Sequence, residues 1–213
     1  LPATSPTVIS SLILQKISDT TFAAIDFESA GTASGQTDVP IQIGIALWSP
    51  VSGYGETIRS FLHTDRPVTW AAQKVHGITT DDLREAPTLL SLWPQIRRFL
   101  GGHAVVAHGH GTEKRFLRTF PGHPFSPWVD TLLLSRAAWP DTKGHSLGDL
   151  CNKLDLSDAI RIRVPDFTWH DALFDSVASL GLLDHFLSEQ DWLEKPLDLL
   201  LNPDLRKYHR NRD

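Results

Sequence analysis

After a loose polar lead, the chain alternates between short apolar runs and small polar breaks. "TFAAIDF" (21–27), "VPIQIGIALWS" (39–49) and "GETIRSFLH" (55–63) are short and rich in β-branched and aromatic residues, which predicts three strands in succession. The small-residue stretch "SAGTASGQTD" (29–38) is the loop joining the first two. Farther on the period lengthens. "APTLLSLWPQIRRFLGG" (86–102) reads as a helix closed by glycines, with Pro94 requiring a kink or a late start. "HAVVAH" (103–108) is a fourth strand, and "TEKRFLRTF" (112–120) a helix that stops before Pro121. "WVDTLLLSRAAW" (128–139) holds a short strand running into a helix. "HSLGDLCNKLDL" (145–156) and "DALFDSVASLGLLDHFLSEQ" (171–190) complete the helices. Three strands followed by strands alternating with helices define an α/β protein, a sheet layered with helices.

Composition narrows the picture. With 213 residues the chain is long enough for one sizeable domain, or one domain with extensions. A net charge of −5 argues against holding nucleic acid by bulk positive charge, but leaves room for an enzyme using a few local cations and bound metal. Cys151 is the single cysteine, so no intrachain disulfide forms, and its apolar setting reads as a core thiol. No apolar run reaches membrane-spanning length. "VISSLILQKI" (8–17) has no basic residue before it and makes a poor signal peptide. The expectation is a cytoplasmic protein without membrane contact.

The chemistry starts at the first strand. Asp26 and Glu28 stand two positions apart, so they project from one face of it. Neighbouring carboxylates repel, and burying them unpaired is costly. A divalent cation resolves the conflict, and oxygen ligands favour Mg²⁺ or Mn²⁺ over zinc. The alternative is two solvated acids at a strand exit. Glu113 falls in the first turn of its helix, either as a third carboxylate of the group or as a helix-start acid favoured by the dipole. In "WHDALFD" (169–175), His170 precedes a helix that Asp171 can cap, and Asp175 lies one turn in, facing the sheet. These two supply a fourth carboxylate and an adjacent base, unless His170 is a surface or capping histidine.

In this order the motifs resemble the DEDDh (DnaQ-like) 3′–5′ exonucleases, a family that includes proofreading subunits of bacterial replicative DNA polymerases. The D-x-E motif matches at Asp26 and Glu28, and "QKVHGITTDDL" (73–83) is similar to a segment of the family. "VAHGHGTE" (106–113) matches the second motif, with Gly109 where asparagine is usual and Glu113 where aspartate is usual. His110 either compensates for Gly109 or is a solvated loop residue. A D-T-L-x-L-S-R segment matches at Asp130 to Arg136, and "HDALFD" supplies His170 and Asp175.

The resemblance implies a ribonuclease H-like fold, a mixed five-stranded sheet with helices on both faces. It implies an exonuclease domain over 21–190, an N-terminal extension over 1–20 and a C-terminal helical or basic tail over 191–213, which either docks or merely extends the surface. It further implies two divalent ions, Mg²⁺ or Mn²⁺, held by Asp26, Glu28, Glu113 and Asp175, with His170 as general base. The implied substrate is a single-stranded nucleic-acid 3′ end, DNA favoured and RNA the alternative, and the product is a nucleoside 5′-monophosphate. A polymerase partner is compatible with this. A non-catalytic nucleic-acid-binding scaffold is the reading from another class, which retention of the acids and histidine opposes. By resemblance, the backbone at Phe27, Ser29 and Ala30 holds the terminal nucleotide and His76 lines its pocket, or else caps a turn. Trp169 reads first as one of seven core or surface tryptophans, with base stacking as the alternative. Lys114, Arg115, Lys143, Arg161 and Arg163 are candidate phosphate contacts or simply solvated charges.

Overall fold

The computed structural model describes residues 12–32, 37–123 and 125–212, so the first four residues of "VISSLILQKI" and part of the first loop lie outside it. Its centre is the apolar run that the first strand begins with. β1 (Phe22–Ser29) sits in the middle of a five-stranded sheet of order β3-β2-β1-β4-β5. β2 (Pro40–Ser49) and β3 (Gly53–Phe61) are antiparallel to their neighbours. β4 (Ala104–Ala107) and β5 (Trp128–Asp130) run parallel. β1 is apolar on successive residues because both of its faces are buried. Phe22 and Ala24 enter one hydrophobic cluster, and Ala23, Ile25 and Phe27 enter the other.

Eight α-helices surround this sheet among the described residues: α1 (Trp70–His76), α2 (Trp93–Leu100), α3 (Gly111–Leu117), α4 (Thr131–Ala138), α5 (Leu147–Lys153), α6 (Ser157–Arg163), α7 (Ala172–Gln190) and α8 (Arg206–Arg210). The 19-residue α7 covers the face of Phe22 and Ala24 with Phe174, Val177, Leu180 and Leu183. Ile96, Phe99 and Leu100 of α2, with Phe116 and Leu117 of α3, cover the opposite face. The result is a mixed five-stranded sheet with helices on both faces, the arrangement expected. None of the helices described is long and apolar enough to cross a membrane.

Several elements differ from their sequence pattern. Pro94 marks a late start rather than a kink, since α2 begins at Trp93 and the residues before it form turns. The helix expected over 145–156 is followed at once by a second, because the chain reverses at Asp155 (φ 55°) between α5 and α6. α1 carries no apolar period, since none of its residues is buried. Its signals are end signals alone: Thr69 Oγ1 accepts from the Ala72 N–H at 3.3 Å, and Gly77 (φ 74°) closes it. Segments outside 21–190 pack on the same body. Ile17, Leu197 and Leu200 are fully buried in the α7-side cluster, and Tyr208 of α8 is buried as well.

Candidate active site

Asp26 and Glu28 leave β1 on the face that α7 covers, level with Gly44 and Gln42 of β2. Glycine at 44 is required by the approach of α7. A Cβ there would stand 2.1 Å from the Ala172 carbonyl carbon and 2.2 Å from the Leu173 nitrogen. Ser176 Oγ donates to the Gly44 carbonyl at 2.9 Å, and Gln42 Oε1 accepts from the Ala172 N–H at 2.8 Å. Asp171 caps α7, accepting from the Leu173 N–H at 3.1 Å. Its other oxygen accepts from Gln42 Nε2 at 3.0 Å and Arg59 Nε at 2.7 Å. Arg59 is held in turn over the Phe61 and Phe167 rings. The first turn of α7 is thereby clamped onto β2 and β3, which sets Asp175 and His170 against β1.

Ligand atoms of Glu28, His170 and Asp175 consequently lie within 4.8 Å of one another. His170 is exposed and adopts a left-handed backbone (φ 67°), uncommon for a residue with a side chain, so its position is imposed by the clamp. Burial pushes the Asp26 carboxyl well above its ordinary range, and the charges of Asp175, Glu113 and Glu28 push the same way. Burial, then the charges of Asp175 and Asp171, lift Glu28 to about 8. Burial lifts Asp175 to about 7, against the backbone N–H of His170 that lowers it. Glu113, at the start of α3, is buried and likewise lifted to about 7, mainly by burial. Glu113 Oε2 and Asp175 Oδ1 are buried without a hydrogen-bond partner among the described residues.

The other three predicted acids thus all act electrostatically on Asp26, although Asp26 and Glu113 stand outside the tight group of Glu28, His170 and Asp175. Two partnerless buried carboxylate oxygens and a set of acids that resist ionisation fit a site for hard divalent cations.

The approach of α3 depends on Asp130, whose role the sequence pattern did not reveal. Its carboxylate accepts from the N–H groups of Gly109 (3.0 Å), His110 (3.3 Å), Leu132 (3.0 Å) and Leu133 (3.2 Å). It caps α4 and anchors the β4–α3 turn together. Gly109 has φ 85°, so glycine suits the position where asparagine was expected, and the turn is steadied from Asp130. Gln42 and Arg59 also escaped notice. The available signal was a polar residue inside the apolar run of β2, on the same face as Gly44.

The proposed substrate residues are placed unevenly. The Phe27 ring packs edge-on against Phe116 on the opposite face, and Ala30 is buried with Ile41 and Ile78. Both side chains are therefore taken up by the core. His76 Nδ1 accepts from the Ile78 N–H at 3.0 Å, so Nε2 carries the proton and donates to the Ser29 carbonyl at 3.1 Å. This turn-capping role coexists with a place beside His170, Trp169 and Arg59 in a cleft of about 310 Å³. Trp169 packs edge-on to Phe174. Lys114 lies 3.0 Å from His110 Nε2, Arg115 pairs with Asp38 and Arg161 with Asp158. Arg163 stacks over Tyr54.

A sheet of this order, with acids on its central strand facing a capped helix, is the arrangement of the ribonuclease H-like fold. The RNase_T family model, described as Exonuclease, matches residues 23–183, and the chain belongs to that family. It is 30% identical over 164 residues to a DNA polymerase III subunit epsilon-like protein of Rhodobacter capsulatus, covering 75% of this chain and 22% of that one. It is 28% identical over 188 residues to a PolC-type DNA polymerase III of Bacillus cereus, covering 84% and 12%. The chain therefore spans less than a quarter of the length of these relatives. Among solved structures it is similar in fold to Exonuclease X in complex with 5′ overhanging duplex DNA (TM-score 0.68, 22% identity, 85% of this chain and 99% of that one). The nuclease domain of 3′hExo, a DEDDh family member bound to rAMP, is also similar (TM-score 0.64, 16% identity, 86% and 96%).

Proposed function

We propose that this chain is a metal-dependent 3′–5′ exonuclease that removes nucleoside 5′-monophosphates from single-stranded DNA ends. The observation that carries the reading is the gathering of Glu28, His170 and Asp175 within 4.8 Å, next to Asp26 and Glu113. Asp26, Glu28, Glu113 and Asp175 would hold two ions, Mg²⁺ or Mn²⁺. When bound, such ions supply Lewis acidity toward the phosphodiester and make water a stronger nucleophile.

His170 takes a proton from the attacking water at a ring nitrogen, from an exposed position at the mouth of the site. The backbone of Phe27, Ser29 and Ala30 and the ring of His76 hold the terminal nucleotide. The names of the polymerase relatives support an intracellular setting and a polymerase partner.

An RNA-trimming activity is the second reading, favoured by the likeness to a nuclease domain bound to rAMP. The test is digestion of matched 3′-unpaired DNA and RNA oligonucleotides with Mg²⁺, with Mn²⁺ and with EDTA. Mononucleotide release from DNA, abolished by EDTA, is expected. Faster release from RNA selects the second reading, and no release from either returns the chain to a binding role.

A further inference from the structure

A second charged pocket lies away from the acids, between α4, α5 and α8. It encloses about 380 Å³ and is walled by His108, Arg136, Lys143, His145, Tyr208 and Arg212, with no carboxylate among the described residues of its lining. Arg136, Lys143 and Arg212 enter none of the ion pairs of the described residues. Two nitrogens of the lining, Arg136 Nε and His145 Nε2, are buried and have no hydrogen-bond partner among the described residues. His145 is only 6% exposed.

The pocket is built, and not a chance meeting of surface cations. Ser135 Oγ donates to the Leu132 carbonyl at 2.9 Å, so it accepts from His145 Nδ1 at 3.0 Å and leaves Nε2 as the free edge of the ring. His108 Nε2 donates to the His145 carbonyl at 2.8 Å. The Tyr208 ring lies 5.2 Å from the Arg136 guanidinium and 4.5 Å from that of Arg212, which orients both. Burial, with the charges of Arg136 and Arg212 behind it, holds His145 below its ordinary pKa. Cations without an ion pair among the described residues and a buried Arg136 Nε–H without an acceptor both raise the free energy of the pocket. An anion with several oxygens relieves both, and arginine geometry suits phosphate; His145 Nε2, which carries no proton while Nδ1 donates, joins it only by taking one up.

Position links this pocket to the nucleic acid. In the β1–β4 register Ala24 pairs with Val106, and two residues farther on His108 follows β4 beside Asp26. The pocket wall therefore begins one strand away from the acid centre. Lys143 and Arg212 are exposed at its mouth.

We propose that this pocket binds a backbone phosphate of the nucleic-acid strand whose 3′ end occupies the acid centre. The proposal rests on the exonuclease reading above. The test compares the wild type with Lys143→Gln and with Lys143→Gln/Arg212→Gln, each checked for an unchanged melting temperature. Two substrates are used: a single-stranded DNA decamer and the 4-nitrophenyl ester of thymidine 5′-monophosphate, which has one phosphate and cannot span both places. For the decamer, KM should rise about tenfold in the double variant with kcat unchanged, and the ester should be hydrolysed at the wild-type rate. The salt dependence of decamer affinity should also weaken by about 0.7 in log–log slope for each phosphate that is no longer neutralised. An unchanged decamer KM, or equal losses on both substrates, overturns the proposal.

Calorimetric titration of inorganic phosphate separates the sources. Phosphate heat that disappears in the double variant while the decamer KM stays constant assigns the pocket to free phosphate and overturns the strand assignment. Should the wild type hydrolyse neither substrate, the exonuclease reading fails by itself. Decamer binding by fluorescence anisotropy then decides the pocket, and equal affinities of wild type and double variant overturn it.

Discussion

At the scale of single residues, the unusual member of the site is Glu113. Its Oε2 is buried without a partner, as the oxygen of a ligand position is, whereas a mere helix-start acid would face water. Glu113→Gln removes a charge and offers a poorer ligand, so kcat should fall steeply. Glu113→Asp should retain more activity, reduced because its carboxylate stands about 1.5 Å farther back, one carbon–carbon bond. A metal titration of kcat for the two variants checks this, and a glutamine variant at full activity removes Glu113 from the centre. His170→Ala should lower kcat by about 10²–10⁴-fold, the usual share of a general base. Its partner Asp175 stays in place, so metal affinity measured by calorimetry should change little. Loss of metal binding in this variant would instead make His170 a ligand.

At the scale of elements, the site depends on how closely α7 meets β2. Gly44 lies under the first turn of the helix, and the Asp171, Gln42 and Arg59 hydrogen bonds hold that turn in register. A methyl at position 44 meets backbone atoms, which cannot swing aside as a flexible side chain can. Gly44→Ala should therefore destabilise the fold by about 1–3 kcal/mol or more, the cost of overpacking. It should also reduce activity in the fraction that remains folded, because the shifted helix carries Asp175 away from Glu28. Urea unfolding together with kcat per folded molecule measures both. Wild-type stability in this variant would mean that the helix does not sit so close. Asp171 was legible beforehand as a helix cap, but its ties to Gln42 and Arg59 were not, since they join positions 129 and 112 residues apart.

At the scale of the whole molecule, the acid centre sets folding against function. Glu28 is lifted to about 8, and Asp175 and Glu113 to about 7, above an ordinary carboxylate value of about 4. Between those limits the folded state holds more protons than the unfolded one, so the stability of the metal-free protein falls as pH rises from about 5 to 8. Divalent metal should restore it, and Asp26→Asn should flatten the slope. Melting temperatures across this range, in EDTA and in Mg²⁺, decide the matter; a flat profile in EDTA would refute the assigned burial of the acids. By itself, the sequence determined the features with a local period: the doubly buried first strand, Asp26 and Glu28 on one face of it, and His170 before a helix that Asp171 caps. It did not reveal α1, which has no buried face to give it a period, nor the packing of Leu197, Leu200 and Tyr208 beyond residue 190. Only the tertiary structure decided that Glu28 meets His170 and Asp175, that Asp130 ties two elements together, and that Arg136 and Arg212 share the Tyr208 ring. The physical reason is range. Backbone sterics act between near neighbours and leave a readable period, whereas the meeting of distant faces is settled by many small packing and hydrogen-bond terms that no short stretch of chain contains.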